Sequence, residues 1–293
     1  TFGFPWELTE EILEEAGMTM DKEGFDAALE VQRKMAREAR NDKEGRPVVY
    51  NTSGINVAEL KVDEAATEAK IVKMYPAHDA QPIENAADGT DVAVICDVTA
   101  FHAEGGGQLG DIGTITAPTG VIAVNVTKKL PDGAVIMIGS VTEGTVAVGD
   151  AVTFAVDKAR KMDIARNHTA THLLHAALKQ VLGAHVNQAG SYVGPDRLRF
   201  DFSHFSQVTA EELKEVEAIV NEQVLAGKAV NIEELPIEEA KKKGATALFG
   251  EKYGNIVRVV TVPDFSMEFC GGSHVSNTAQ IGMFKIEIGR AHV

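Results

Sequence analysis

The chain has 293 residues, of which 44% are hydrophobic and 24% are charged, and its formal net charge is −15. This length accommodates one large domain or two medium ones, each with its own hydrophobic core. The acidic balance argues against a protein that binds nucleic acid over its whole surface, and no apolar run reaches the roughly 20 residues of a membrane helix. Residues 1–5 lack both an initiator Met and a signal-peptide layout, so we expect a cytoplasmic chain cut from a longer protein.

The first part of the chain, residues 7–41, has the apolar spacing of charged, amphipathic helices. One short helix is predicted to end at Gly17, and a second is predicted to begin near Asp21. The polar run 41–47 ends in Gly and Pro, which is typical of a linker.

Short strand-like runs follow between residues 48 and 157. Turn signals at 88–89, 131–133 and 149–150 separate them. Several short strands at this spacing favour a small β-barrel or sandwich. The predicted strands are 69–75, 92–98, 113–116, 120–127, 134–140 and 151–156.

The third part begins with a predicted helix from about Asp157 to Leu182, which Gly183 ends. A capping-box pattern over 209–212 starts another helix, which runs to about Leu225. Further predicted elements are strands at 198–203, 231–237, 256–262 and 282–286 and a short helix at 238–247. Helices and strands mixed in this way predict an α+β domain.

The two cysteines of the chain have different surroundings. Cys96 ends an apolar run, which favours a buried thiol, whereas Cys270 lies four residues before His274. His168 and His172 are four residues apart on a predicted helix, so their Cβ atoms would lie about 6 Å apart on one face. Three imidazoles and a thiolate are ligands suited to tetrahedral zinc. We therefore predict one metal site formed by these three histidines and Cys270.

The sequence lacks residues that two classes of zinc enzyme require. A metalloprotease of the His-Glu-x-x-His type needs Glu after the first His, where this chain has Thr169. A nucleobase deaminase needs His-x-Glu, which residues 102–104 supply, together with Cys-x-x-Cys, which the sequence lacks. A closed structural site and a site with an open catalytic position both remain compatible with the sequence.

A glycine-rich segment, Gly105-Gly106-Gly107-Gln108, follows a predicted strand. Consecutive glycines allow close approach of a ligand or of another backbone, and the alternative is a flexible hairpin turn. The segment matches neither the dinucleotide-binding fingerprint nor the Gly-Lys-Ser/Thr ending of a phosphate loop. ATP binding by this chain is therefore not supported.

Other polar residues near these motifs are candidates for a pocket. Gln188 and His204 would either line it or be solvated, and His175 is expected beside the metal ligands or packed, not as a fifth ligand. Residues 151–205 carry seven basic and four acidic side chains, an excess of three positive charges. This local excess permits a confined contact with phosphate.

Three motifs of the chain resemble the alanyl-tRNA synthetase family: 166–175, 199–204 and 268–274. The glycine segment within 103–113 and the opening residues 1–5 are similar to the same family, so the resemblance covers essentially the whole chain in order. It implies an α+β fold with an N-terminal helical segment, a small β-barrel subdomain and an α+β zinc-bearing editing core of the threonyl/alanyl-tRNA synthetase type.

The resemblance also implies a domain layout. Residues 1–45 would be the C-terminal tail of a helical tRNA-recognition domain, 46–160 the β-barrel part of the editing domain, and 161–288 its zinc-bearing core. The family's aminoacylation domain, which uses ATP, and its oligomerisation region are expected to be absent. Residues 289–293 are expected to be a non-native tail, because 287–293 departs from the family and can be encoded by a sequencing adapter.

By the same resemblance, Gln188 and Thr171 match positions implicated in substrate recognition, and we predict them as catalytic-site residues. The predicted substrate-binding residues are Gly105, Gly106, Gly107, Gln108 and Arg199. Zinc is the expected cofactor. The chain departs from the family at Ser273, where Thr is frequent, and at His102, where Tyr is common.

The implied activity is proofreading. A pocket that accepts alanine cannot exclude glycine by size, and it rejects the added hydroxyl of serine by only ~10²-fold. We therefore expect the chain to hydrolyse Ser-tRNA(Ala) and Gly-tRNA(Ala) at a zinc-containing editing site, with the acceptor end of tRNA(Ala) as partner and no membrane. The alternative is a non-catalytic tRNA-binding module with a structural zinc.

Overall fold

In the computed structural model, residues 48–246 and 254–287 are described, together with single positions between 13 and 31. The predicted helices within 7–41, the linker 41–47 and the tail 289–293 lie outside these continuous ranges. Tyr50–His204 and Val208–Gly289 belong to one compact unit, which contains the elements described below. Within the described ranges, no helix combines the length and the apolar character that crossing a lipid bilayer requires.

The strand-rich part of the chain forms an antiparallel sheet. Its elements are β1 (Lys61–Val62), β2 (Glu68–Pro76), β3 (Asn85–Ala87), β4 (Asp91–Cys96), β5 (Val98–Thr99), β6 (Gly113–Ala117), β7 (Gly120–Lys129), β8 (Val135–Ala147) and β9 (Ala151–Val156), after a 3₁₀ turn at Val57–Glu59. Seven strands pair in the order β3-β8-β4-β2-β9-β6-β7, and β7 also pairs with β8. The remaining two, β1 and β5, form a separate parallel pair.

All six strands predicted in this region are present, with two differences in extent. The run 92–98 is divided between β4 and β5, and β8 continues seven residues past the predicted end at 140. Residues 142–145 of the continuation are exposed and include no apolar side chain, so they lack the apolar alternation by which a strand is recognised in sequence. Pairing with β3 and with the start of β7 holds it in the sheet.

One face of this sheet carries a hydrophobic core that includes Ile71, Met74, Ile115 and Ile122, all fully buried. Side chains alternate between the two faces of a strand, so inward positions usually recur at every second residue, and a register shift between Ile71 and Lys73 accounts for the spacing of three from Ile71 to Met74. Cys96 belongs to the same core and is 4% exposed, which confirms the predicted buried thiol. Burial raises the pKa of this thiol, and a protonated, enclosed thiol is chemically inert.

Three helices follow in the described part of the chain: α1 (Lys158–Leu182), α2 (Ala210–Leu225) and α3 (Ile237–Lys242). The side chain of Asp157 caps α1 by accepting the backbone N–H of Arg160, and the helix ends at Gly183, as predicted. The capping box of α2 is formed by Thr209 and Glu212, also as predicted. Helix α3 is shorter than the predicted 238–247, whose last residue lies outside the described ranges.

The second strand-rich region packs with these helices. It contains the hairpin β10 (Gln188–Val193) and β11 (Leu198–Phe202), and the antiparallel sheet β12 (Asn231–Pro236), β13 (Ile256–Val262) and β14 (Ser266–Phe269), followed by a 3₁₀ turn at Thr278–Ile281. Apolar residues of α1, α2 and β13 share one core with Val275 and Phe284. The mixture of helices and strands that the sequence predicted is therefore present.

The prediction of a strand at 282–286 is wrong, because these residues have no regular secondary structure. Their backbone groups are satisfied by side chains of α2 instead of by a neighbouring strand. The amide of Asn221 donates to the carbonyl of Phe284 and accepts its N–H, and Glu217 accepts the N–H of Ile286, at 2.8–2.9 Å. An apolar run thus stays irregular because a helix supplies its hydrogen bonds.

Candidate metal centre

Four side chains predicted to bind one metal ion are brought together. His168 and His172 lie one turn apart on α1, and Cys270 and His274 lie in the loop that follows β14. One potential ligand atom from each of the four lies within 4.8 Å of every other. The Sγ of Cys270 is 3.3 Å from the Nε2 atoms of both His168 and His274.

The loop is held in this shape by a basic side chain and a glycine. A guanidinium nitrogen of Arg258, on β13, donates to the carbonyl oxygens of Cys270 at 2.7 Å and Gly272 at 2.8 Å. A Cβ added at Gly272 would overlap the imidazole of His168 and the amide oxygen of Gln108. The backbone can therefore approach His168 closely only because residue 272 has no side chain.

In each of the three histidines of the cluster, the Nδ1 atom faces a different oxygen atom. The Nδ1 of His168 is 2.6 Å from Gln108 Oε1, and that of His274 is 3.1 Å from Thr169 Oγ1. The Nδ1 of His172 faces Glu268 Oε2 at 3.7 Å and has no hydrogen-bond partner among the described residues. Metal-bound histidines characteristically have such supporting groups behind them.

Glu268, on β14, is buried and its carboxylate faces both His172 and His175. Its Oε1 is 2.9 Å from Nδ1 of His175, which confirms that His175 packs beside the cluster and is not a member of it. Burial raises the pKa of Glu268, but the charges of His172 and His175 and a hydrogen bond from His175 outweigh this and lower it overall. The buried carboxylate is thus kept ionised beside the cluster.

Electrostatics favours the form of the cysteine that binds metals. Burial raises the pKa of Cys270, but the close contacts of this residue with the three histidines of the cluster outweigh burial and hold the pKa well below its ordinary value. Burial lowers the pKa of His274 to about 3, whereas Glu268 and Cys270 overcome burial at His172 and raise its pKa to about 9. A thiolate is the ligand form of cysteine.

The donor set fits a zinc ion. Three imidazole nitrogens and one thiolate are ligand types that zinc binds in tetrahedral geometry, and the softness of sulfur disfavours calcium or magnesium. His168 and His172 are 7% and 5% exposed, and Cys270 and His274 are partly buried. The four predicted ligands could therefore hold zinc in the arrangement that the fold gives them.

A cavity of about 710 Å³ opens next to this cluster. Its volume lies within the range of small-molecule sites in proteins. His168, His172 and Cys270 contribute to its wall, as do Thr171, Gln188, Gly105 and Gly106 from the predicted site. Both predicted catalytic-site residues and part of the glycine segment thus face the same space as the cluster.

Three of the predicted substrate-binding residues lie elsewhere. Gln108 is fully buried, and neither it nor Gly107 belongs to the cavity wall. Arg199 is exposed on β11, pairs with Asp201 at 2.9 Å, and is also absent from the wall. His204, the other pocket candidate, is 2.9 Å from His185 and does not line the cavity.

The glycine segment packs against the hairpin that carries Gln188. Gly106 and Gly107 have φ values of +57° and +84°, which glycine adopts without strain. A Cβ at Gly107 would overlap the side chain and backbone of Ser191. Ser191 Oγ in turn donates to the carbonyl of Gly106 at 3.0 Å and accepts from Gln188 Nε2 at 3.2 Å, which links the catalytic-site candidate to the segment.

Sequence reasoning missed several residues of the site. Glu268 and Arg258 line the cavity, and each is the one charged residue of its strand, which is the signal that could have identified them. Glu64 also lines it and pairs with Lys161 at 3.1 Å. A hydrogen bond from His102 and the charge of Lys161 lower the pKa of Glu64 to about 2 against the opposing effect of burial.

Comparison with known proteins gives matches over nearly the whole chain. Residues 1–160 match the family model of class II (A) tRNA synthetases, and residues 257–291 match the second additional domain of threonyl and alanyl tRNA synthetases. Alanine–tRNA ligases from Bacillus velezensis and Geobacillus thermodenitrificans are each 50% identical over 289 residues, and that of Listeria monocytogenes is 50% identical over 291 residues. These alignments cover 98% of this chain.

The same alignments cover 33% of each relative, so the chain spans about a third of the length of the curated relatives it matches. The two family models together include the glycine segment and the Cys270–His274 loop. The chain therefore belongs to the alanyl-tRNA synthetase family of class II tRNA synthetases.

Proposed function

We propose that this chain carries the editing site of an alanine–tRNA ligase and hydrolyses Ser-tRNA(Ala) and Gly-tRNA(Ala). The observation that carries the proposal is the cavity shared by His168, His172 and Cys270 with Thr171 and Gln188. A metal site that only stabilised the fold would not need an adjoining cavity lined by polar residues. Family membership supports the tRNA part of the substrate, because the relatives are alanine–tRNA ligases.

The need for such a site follows from the size of the substrates. A pocket that accepts alanine cannot exclude glycine, which is smaller. It also excludes serine only weakly, since one added hydroxyl is rejected only ~10²-fold. A second site must then break the ester that joins the wrong amino acid to the terminal adenosine. A cavity of about 710 Å³ has room for an aminoacyl group attached to one nucleoside.

His168, His172, Cys270 and His274 would hold the zinc ion. When bound, zinc supplies Lewis acidity that can polarise an oxygen of the substrate or of water. In the proposed reaction, water adds to the ester carbonyl carbon, the bond to the ribose oxygen breaks, and that oxygen takes up a proton. Thr171 and Gln188 would orient the aminoacyl group at the cavity wall, and the backbone at Gly105 and Gly106 would border it.

The domain layout is part of the proposal. We propose residues 1–45 as the tail of a tRNA-recognition domain, 46–160 as the β-barrel part of the editing domain, and 161–288 as its zinc-bearing core, with 289–293 as a non-native tail. The additional pairing of β7 with β8 supports the barrel, since it joins β7, the last strand in the sheet order, to β8, an inner strand of the same sheet. Aminoacylation with ATP and the cytoplasmic location would belong to the longer enzyme.

A non-catalytic tRNA-binding module with a structural zinc is the second candidate. It is favoured by one observation: four donors within 4.8 Å of one another can fill a tetrahedral coordination shell and leave no open position. Under this alternative the cavity would bind the acceptor end without hydrolysing it.

Deacylation of Ser-tRNA(Ala) and Gly-tRNA(Ala) by the purified chain distinguishes the two candidates. We expect hydrolysis that a strong chelator and Cys270→Ala both abolish, and no hydrolysis of Ala-tRNA(Ala). Zinc binding without deacylation would support the structural module. Full activity in the absence of zinc would contradict the metal-dependent mechanism.

A further inference from the structure

Gln108 is the last residue of the glycine segment, and it is fully buried. Its Oε1 accepts the backbone N–H of Ser273 at 2.8 Å and lies 2.6 Å from Nδ1 of His168. Its Nε2 donates to Ser273 Oγ at 3.3 Å. The amide therefore joins three separate parts of the chain: the glycine segment, helix α1 and the Cys270–His274 loop.

The backbone N–H of Ser273 determines which end of the Gln108 amide faces the histidine. A backbone N–H can only donate, so the atom opposite it must be the carbonyl oxygen. That oxygen can only accept, and its distance of 2.6 Å from His168 Nδ1 requires the imidazole to donate. The neutral imidazole then carries its proton on Nδ1, and Nε2 is left with a lone pair that faces Cys270 Sγ at 3.3 Å.

The same logic applies independently at His274. Thr169 Oγ1 donates to the carbonyl of Ala165 at 2.9 Å and accepts the N–H of Val275 at 3.2 Å. Its single proton is used, so the Nδ1 of His274, 3.1 Å away, must also donate to it. Two histidines of the cluster thus have their protons on Nδ1: His168 because the N–H of Ser273 orients the Gln108 amide, and His274 because Thr169 has already donated its only proton to Ala165.

We propose that Gln108 is a positioning residue, which holds the proton of His168 on Nδ1 and directs Nε2 to the metal centre. The assignment rests on the proposed zinc site for its effect on metal binding, but the position of the proton is a property of the chain itself. In this proposal Gln108 supports a metal ligand instead of binding substrate, which agrees with its full burial and its position outside the cavity wall. Loss of such a supporting partner lowers metal affinity by about 10–100-fold.

The test compares two variants in the 293-residue chain. Gln108→Met keeps the length of the side chain and removes the acceptor oxygen, whereas Gln108→Glu keeps an oxygen that accepts from both His168 and Ser273. Zinc affinity is measured by competition with a chelating dye. The position of the imidazole proton is read in the zinc-free protein from long-range ¹H–¹⁵N NMR correlations.

We expect His168 of the unaltered chain to be protonated on Nδ1. Gln108→Met should populate both tautomers and bind zinc about 10–100-fold more weakly, and Gln108→Glu should restore the Nδ1 tautomer and most of the affinity. Circular dichroism of the zinc-free variants shows whether either has lost its fold. If Gln108→Met unfolds, the position of the His168 proton in the unaltered chain still tests the proposal.

Protonation of His168 on Nε2 in the unaltered chain would overturn the proposal, and so would zinc binding by a folded Gln108→Met variant at unaltered affinity. A different result would count against the proposed function instead: an unaltered chain that has the Nδ1 tautomer and binds no zinc. That result would support the proton assignment and contradict the metal centre. The two failures are therefore distinguishable.

Discussion

The glycine segment 105–108 and the Cys270–His274 loop meet at His168 and contribute to the centre in different ways. The loop supplies two of the four candidate ligands directly, from residues four positions apart. The segment supplies no ligand; it fills the space beside the histidine and supports it through Gln108. The candidate centre therefore depends on chemical groups in the loop and on shape in the glycine segment.

The largest effect is expected when the chemistry of the loop is removed. Cys270→Ala deletes the thiolate, and we expect zinc affinity to fall by more than about 100-fold, beyond the loss caused by removing a supporting group. Cys96→Ala is the matched control, since it removes the other thiol from a core that is separate from the cluster. Zinc content after gel filtration checks both variants. Equal zinc content would contradict the assignment of Cys270 as a ligand.

A smaller effect is expected when the loop keeps its ligands and loses its shape. Gly272→Ala places a Cβ against His168 and Gln108, so the loop must move, and zinc affinity should fall about 10–100-fold. Gly271→Ala, one residue earlier, meets no atom within 4 Å and should bind zinc like the unaltered chain. Competition titration gives both affinities. Similar values for the two variants would show that close approach at residue 272 is not required.

Substitutions in the glycine segment are expected to change the free energy of unfolding. Gly107→Ala forces a side chain into a backbone conformation with φ of +84° and into overlap with Ser191, which should lower the free energy of unfolding by about 2–3 kcal/mol. Gly105→Ala meets no atom within 4 Å and should change it by less than about 0.5 kcal/mol. Urea denaturation measures both. A stable Gly107→Ala variant would argue that the segment is not constrained by shape.

The smallest effect is expected at Arg199, which lies outside both loops. Its pair with Asp201 is solvent-exposed, and exposed pairs contribute little, so Arg199→Ala should change the free energy of unfolding by less than about 0.5 kcal/mol. Because Arg199 does not line the cavity, deacylation of Ser-tRNA(Ala) should also change little. A large loss of deacylation in a stable variant would restore the substrate contact that the sequence predicted.

The sequence by itself determined the elements and ligands whose evidence is local. The pair His168 and His172 is recognisable because four residues make one helical turn, and Cys270 and His274 because a short glycine loop brings them to one point. The capping box of α2 and the strands of the first sheet were identified for the same reason, since each pattern is contained within a few residues.

Only the tertiary structure decided the contacts between distant residues. Gln108 and His168 are 60 positions apart, and no local pattern distinguishes a glutamine that supports a histidine from one that contacts substrate. The apolar run 282–286 has the composition of a strand, yet side chains of α2 satisfy its backbone. Local propensity sets which conformations a segment can adopt, whereas burial and hydrogen-bond partners, which come from elsewhere in the chain, decide which one is used.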